Sequence, residues 1–99
     1  MNIIYKYKLL KGFEVQEIKL PLGSEILDFQ VQRDDIVFWA IINKENPYSE
    51  IRKFRILMTG QDFEYKTSIM PSVRFHGKLE HRKTLQIDGL TLHIFEELS

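Results

Sequence analysis

The chain has 99 residues, 43% of them apolar, with 14 basic and 14 acidic side chains, a formal net charge of zero and no cysteine. These values predict a single domain, residues 1–99, with a hydrophobic core, and exclude a disordered chain, a disulfide framework and thiolate metal sites. The zero net charge counts against a dedicated binder of duplex nucleic acid. Lys6 and Lys8 interrupt the apolar N-terminus, so no signal peptide or membrane span is predicted and a cytoplasmic location is expected.

Short strands separated by turns are predicted from the beginning of the chain. Alternating residues indicate a first strand within 1–10, with an aromatic face made by Tyr5 and Tyr7. A turn at 11–12 precedes a second strand over 13–20, which ends at a turn containing proline and glycine.

The third and fourth strands differ in their predicted burial. In the third, Leu27, Phe29 and Val31 are predicted to face the core while the polar residues between them face solvent. A turn at 33–35 follows. Residues 36–42 contain no polar side chain and predict a central strand covered on both faces.

The next segment is less regular. A polar loop over 43–50 precedes a strand over 53–58 with a basic outer face. Residues 61–72 are compatible with a short helix or an irregular loop before a further strand suggested by Val73 and Phe75.

The C-terminal segment predicts a β-hairpin. Asp-Gly at 88–89 is typical of a two-residue type I′ turn, which would pair Ile87 with Leu90 and Leu85 with Leu92. Together the elements predict an all-β fold: a small antiparallel sandwich or partly open barrel of about seven or eight short strands, with little helix.

Short motifs spread along the chain carry a family resemblance. They are Ile4-Tyr5-Lys6-Tyr7, Leu20-Pro21, Trp39-Ala40, Arg52-x-Phe54-x-Ile56, Thr59-Gly60 and His93-Ile94-Phe95-Glu96. The pattern resembles a family of small, functionally unannotated proteins encoded by bacteriophages and prophages, and it covers most of the chain apart from about residues 61–82. The resemblance implies a phage context and a bacterial host cytoplasm, and it supplies no catalytic residue or cofactor. Phage proteins of this size are often counter-defence factors, an analogy of class and not of fold.

Basic charge is concentrated between residues 51 and 83, where eight Lys/Arg oppose three Asp/Glu. Arginine forks match phosphate geometry and aromatic rings can stack a base, so this segment predicts capture of a small anionic ligand. The predicted ligand-binding residues are Arg52, Arg55, Arg74, Arg82, Trp39 and His93. The alternative interpretation is a solvated strand face whose cations deter edge-to-edge aggregation.

The three histidines do not predict a metal site. His76, His81 and His93 include no pair two residues apart, the spacing common for zinc ligands on a strand. A histidine on the second face of a sheet is more often packed or hydrogen-bonded than catalytic. No metal, cofactor or catalytic residue is therefore predicted.

Four functional hypotheses remain. The first is a phage-encoded, non-enzymatic protein that sequesters a nucleotide-derived immune signal of the cyclic ADP-ribose or cyclic oligonucleotide type. Since the domain is small for enclosing a ligand, a binding site between subunits of a homo-oligomer is expected. The second is a protein–protein inhibitor of a host enzyme, whose sign would be an exposed patch of Tyr5, Tyr7 and Phe95. The third is a small phosphodiesterase using His93 or His81. The fourth, single-stranded nucleic-acid binding, is disfavoured by the neutral charge.

Overall fold

Seven β-strands and no helix make up the part of the chain that the computed structural model describes, residues 1–10, 15–62 and 78–98. The strands are β1 (Asn2–Leu9), β2 (Gln16–Pro21), β3 (Glu25–Gln32), β4 (Asp35–Asn43), β5 (Ser49–Met58), β6 (Lys78–Ile87) and β7 (Leu90–Leu98). The predictions for the turn at 11–12 and for residues 63–77, which include Arg74 and His76, lie outside the described residues. In the described part no helix is long and apolar enough to cross a membrane.

The strands form two antiparallel sheets that pack face to face. Sheet A has the order β1-β4-β3, and sheet B has the order β2-β5-β7-β6. The sheets do not close into a barrel, so the predicted all-β antiparallel fold is confirmed as a sandwich. Alternate residues of each strand face the other sheet, and these inner faces share one core. Its members are Leu9, Leu20, Phe29, Ile36, Phe38, Ala40, Ile42, Phe54, Ile56, Leu85, Leu92 and Ile94.

Aromatic rings occupy the centre of this core. Phe38 of β4 stacks on Tyr7 with ring centroids 5.2 Å apart, and it contacts Phe29 at 5.3 Å. Phe54 of sheet B lies 5.3 Å from Phe38 and 5.9 Å from Phe29. The rings thus join the two sheets, since three belong to sheet A and one to sheet B.

The outer face of β4 is covered less completely than predicted. Ile36 and Phe38 are fully buried on the inner face, whereas on the outer face Val37 is buried but Trp39 and Ile41 are only half-buried. An antiparallel sheet can leave one face in contact with water even when the strand's sequence is wholly apolar.

The predicted orientation of Leu27 is also wrong. The pairing of β3 with β4 shifts between Ile26 and Asp28, an irregularity of the β-bulge type. Ile26 is therefore paired with the buried Ala40 on the inner face, and Leu27 is left 44% exposed.

Two hairpin turns have left-handed backbone at both central residues. Asp88 and Gly89 have φ of +50° and +77°, with Ile87 opposite Leu90, which confirms the predicted type I′ hairpin. Arg33 and Asp34, with φ of +50° and +68°, form a second turn of this kind without glycine. The second turn lies at the site described below.

An ion pair links the neighbouring edges of the two sheets. Lys83 of β6 lies 2.9 Å from Asp28 of β3, and its hydrogen bond is the main cause that lowers the pKa of the Asp28 carboxyl from the ordinary value of 3.8. A carboxyl with a lowered pKa in the folded state stabilises the fold above its unfolded pKa. That contribution is lost as the pH falls through the folded value.

The pH dependence of this ion pair can be tested with Asp28→Asn. Both side chains are about 40% exposed, so screening keeps the contribution below about 1 kcal/mol. We expect the variant to be less stable than the wild type by up to that amount at pH 6, and this deficit to shrink progressively as the pH falls below the ordinary pKa of 3.8. Urea unfolding at a series of pH values measures this difference. A deficit that persists or grows in acid would contradict the assignment.

Candidate functional site

A groove of about 660 Å³ lies on the outer face of sheet A. Its volume falls within the range of about 300–1,000 Å³ that is usual for small-molecule sites. We call it the cationic groove, and it is lined by Lys6, Lys8, Gln32, Arg33, Asp35 and Val37.

The alternation of β1 places two lysines in the groove. Tyr5 and Tyr7 occupy the same face as the buried Leu9, so Lys6 and Lys8 project to the opposite side. Side chains two residues apart on a strand emerge about 6.5–7 Å from one another. That spacing lets both ammonium groups approach a single phosphorylated ligand.

The lining carries three cationic side chains and one carboxylate. Lys8 Nζ lies 3.4 Å from Asp35 Oδ1, and Lys6 Nζ donates to Gln32 Oε1 at 3.2 Å. Within the described part of the chain Arg33 forms no ion pair. The groove therefore has a net positive charge, which favours an anionic ligand.

The backbone of Arg33 is in a conformation that arginine rarely adopts. Its φ of +50° is left-handed, and a non-glycine residue there costs on the order of 1 kcal/mol. Glycine or asparagine would make the same turn with less strain. The turn thus has a cationic residue at a position where glycine or asparagine would be less strained.

Trp39 lies on the same outer face as the cationic groove. It is directly opposite Lys6 in the β1–β4 register and two residues beyond Val37 on β4. The indole is half-buried, so part of its ring surface is exposed beside the cations. An aromatic face next to positive charge can stack a nucleobase while the cations contact phosphates.

Two of the predicted arginines converge on an internal carboxylate. Arg52 donates to Glu96 from Nη2, over 3.0 Å, and also from Nε, while its Nη1 donates to the Ser24 carbonyl oxygen at 3.0 Å. Arg82 Nη1 lies 3.8 Å from the same carboxylate, which is only 1% exposed. The hydrogen bond to Glu96 raises the pKa of Arg52 above its ordinary value. These two guanidinium groups contact a carboxylate of the fold itself.

Arg55 and His93 lie on the outer face of sheet B. Arg55 is opposite Phe95 in the β5–β7 register, and its Nη2 donates to Glu97 Oε1 at 2.7 Å. His93 contacts Thr59 and another histidine. The predicted ligand-binding residues that are described therefore occupy three separate places: the inner face, the outer face of sheet B and, for Trp39, the outer face of sheet A. Their role in ligand binding stays a prediction.

Lys6, Lys8 and Arg33 are not among the ligand-binding residues predicted from the sequence. The prediction rested on the local excess of positive charge in residues 51–83, whereas the groove brings together cations from two separate segments of residues 1–50. The alternation of lysine with tyrosine in β1 was the available signal, since it places two cations on one face.

The aromatic residues named for a protein interface do not form one patch. Tyr5 is 49% exposed, but Tyr7 packs on Phe38, and the half-buried Phe95 lies on the outer face of sheet B. The inhibitor hypothesis stays a prediction.

Comparison with known proteins gives a family and no function. No curated protein and no solved structure gave a significant match to the chain. A family model described as "Domain of unknown function (DUF7352)" matches residues 1–99. The chain therefore belongs to the DUF7352 family, a family of domains of unknown function.

Proposed function

We propose that this chain is a small, non-enzymatic binding domain that captures an anionic, nucleotide-like ligand in the cationic groove of sheet A. The observation that carries the proposal is the convergence of Lys6, Lys8 and Arg33 in one groove of about 660 Å³. Trp39 supplies the adjacent aromatic surface.

The chemistry follows from the polar groups present. Ammonium and guanidinium groups form charge-assisted hydrogen bonds with phosphate oxygens, and the planar guanidinium can do so in a bidentate manner. The oxygen of the Gln32 amide accepts a hydrogen bond from Lys6. When a ligand phosphate binds Lys6 instead, the Gln32 amide can rotate and donate a hydrogen bond to a sugar or base. Because the lysines are exposed, affinity should fall steeply with salt.

The motif resemblance supports a more specific form of the proposal. In this form the chain is a phage or prophage protein acting in the bacterial cytoplasm, and the ligand is a nucleotide-derived immune signal of the cyclic ADP-ribose or cyclic oligonucleotide type. Sequestering that signal would be a counter-defence activity.

A homo-oligomer is part of the same proposal. Small-molecule sites bury about 70–90% of a ligand's surface, which an open groove on one sheet face does not achieve alone. A second copy could cover the groove from the side of β1, which is an edge strand of sheet A among the described strands. Sedimentation measurements with and without ligand would test this arrangement.

The binding proposal predicts a direct optical signal. Trp39 is the only tryptophan of the chain. Titration with cyclic dinucleotides and cyclic ADP-ribose isomers should therefore change the intrinsic fluorescence for the ligand that stacks on it. Calorimetry on the same panel gives affinity and stoichiometry. If folded protein in low salt shows neither a fluorescence change nor binding heat with any ligand of the panel, the proposal is wrong.

Matched charge variants separate groove binding from general attraction. Lys6→Gln/Lys8→Gln should weaken binding about tenfold or more, since a hydrogen bond to a charged group contributes about 1.5–3 kcal/mol. Arg33→Asn should also weaken binding while leaving the fold intact, because asparagine tolerates a positive φ. Lys53→Gln, on the outer face of sheet B, is the control for loss of charge and should bind like the wild type. Equal losses in the control and the groove variants would contradict the proposed location.

A further inference from the structure

Two histidines and two threonines meet on the outer face of sheet B. His81 Nε2 lies 3.1 Å from His93 Nδ1. Thr84 Oγ1 lies 3.1 Å from His81 Nε2 and 3.3 Å from His93 Nδ1, and Thr59 Oγ1 lies 2.6 Å from His93 Nε2. We call these four residues the histidine cluster.

A β-bulge creates this cluster. His81 is opposite Phe95 and Thr84 is opposite His93, so three steps along β6 match two steps along β7. The register shift between His81 and Lys83 absorbs the extra residue. In a regular strand His81 and Thr84 would face opposite sides. The sequence criterion of two histidines two residues apart on one strand misses this pair, because His81 is on β6 and His93 is on β7.

The contact between the imidazoles has a chemical consequence. At 3.1 Å one of the two facing nitrogens carries a proton and the other offers its lone pair. If neither facing nitrogen carried the proton, both would direct a lone pair into the space between His81 and His93. A metal cation placed there would accept both lone pairs and replace the shared proton.

The nitrogen separation suits a first-row transition ion. With metal–nitrogen bonds of about 2.0–2.1 Å, two ligands of one ion are about 2.9 Å apart at 90° and about 3.3 Å apart at the tetrahedral angle. The observed 3.1 Å lies between these values. The distance between the two nitrogens therefore matches that of a chelate, and rotation of the rings would turn both lone pairs toward one ion.

The two threonines complete the surroundings of such an ion. Thr59 contacts the far nitrogen of His93, the position from which an outer partner fixes the tautomer and ring orientation of a metal-bound histidine. Thr84 is close to both facing nitrogens and can hydrogen-bond a water bound to the metal. The described residues contain no group of three or more His, Cys, Asp or Glu that could hold a metal. Water or an external ligand would have to occupy the remaining coordination positions.

We propose that the histidine cluster binds one first-row divalent transition ion through His81 Nε2 and His93 Nδ1. This site is on the opposite outer face from the cationic groove, so the proposal does not depend on anion capture. Imidazole ligands select Zn²⁺, Ni²⁺ and Cu²⁺ over Mg²⁺ and Ca²⁺, which prefer oxygen.

Calorimetric titration of the full chain with NiCl₂, ZnCl₂ and CuCl₂ tests the proposal. We expect one saturable site per chain, tightest for Cu²⁺, and no saturable heat with MgCl₂ or CaCl₂. His81→Ala and His93→Ala should each weaken Ni²⁺ binding about tenfold or more, because each removes one of the two ligands. Glu25→Gln, which removes an exposed carboxylate from β3 in sheet A, is the control and should bind like the wild type.

A spectroscopic readout does not depend on variants. Substoichiometric Cu²⁺ should selectively broaden the NMR signals of His81, His93 and their strand neighbours, leaving those of Lys6 and Lys8 sharp. Absence of a saturable site in the wild type would overturn the proposal. So would binding that survives in the His81→Ala/His93→Ala variant, or binding that is lost in Glu25→Gln.

Discussion

Replacing Arg52 with methionine is expected to lower the free energy of unfolding by about 3–5 kcal/mol. Glu96 is 1% exposed, and Arg52 supplies both of its hydrogen bonds from a guanidinium group. After the substitution only Arg82, at 3.8 Å, would remain near the buried carboxylate. The loss of the third contact, to the Ser24 carbonyl, would also remove a hydrogen bond between β5 and the β2–β3 turn.

A double-mutant cycle identifies the source of this loss. The destabilisation should come mainly from the uncompensated buried charge, so Arg52→Met/Glu96→Leu should be more stable than Arg52→Met alone. Urea unfolding of the wild type, both single variants and the double variant measures the coupling. Losses that simply add would show that the two side chains do not interact.

The ion pair between Arg52 and Glu96 could be predicted only in part from the sequence. Alternation within β5 places Arg52 on the side of Phe54 and Arg55 on the other side. The sequence could not show that Glu96, far along the chain, would lie beside Arg52. Pairing between β5 and β7 brings them together, and that pairing depends on the order of strands in the sheet.

Turn chemistry and alternation predicted more of the fold than of the site. Asp88-Gly89 fixed a hairpin and its register, because few residues other than glycine adopt that backbone easily. The two β-bulges could not be predicted from alternation or turn residues. One left Leu27 exposed and another brought His81 to His93, and neither shift leaves a recognisable mark in the spacing of residues.

The cationic groove illustrates a second limit. Lys6 and Lys8 could be assigned to one face of β1 from sequence alone. The approach of Arg33 to them depends on β1 and β3 both pairing with β4, a topology that local patterns do not determine.

Phe38→Ala is expected to destabilise the fold by about 3–5 kcal/mol, the range measured for large-to-small aromatic substitutions in protein cores. The Phe38 side chain is fully buried and contacts Tyr7, Phe29 and Phe54, so its removal leaves a cavity between the sheets. Since close-packed neighbours relax only partly, the lost contacts are not regained. Urea unfolding measures the change.

Trp39→Ala provides the comparison within the same strand. Trp39 is larger than Phe38 but half-buried on the outer face, so its removal leaves an open depression and should destabilise the fold by less, about 1–2 kcal/mol. Moving β4 by one residue would exchange its two faces, because side chains alternate with a period of two. A greater loss for Trp39→Ala than for Phe38→Ala would therefore place Trp39 in the core. It would also remove Trp39, Lys6 and Lys8 from the face on which anion capture depends.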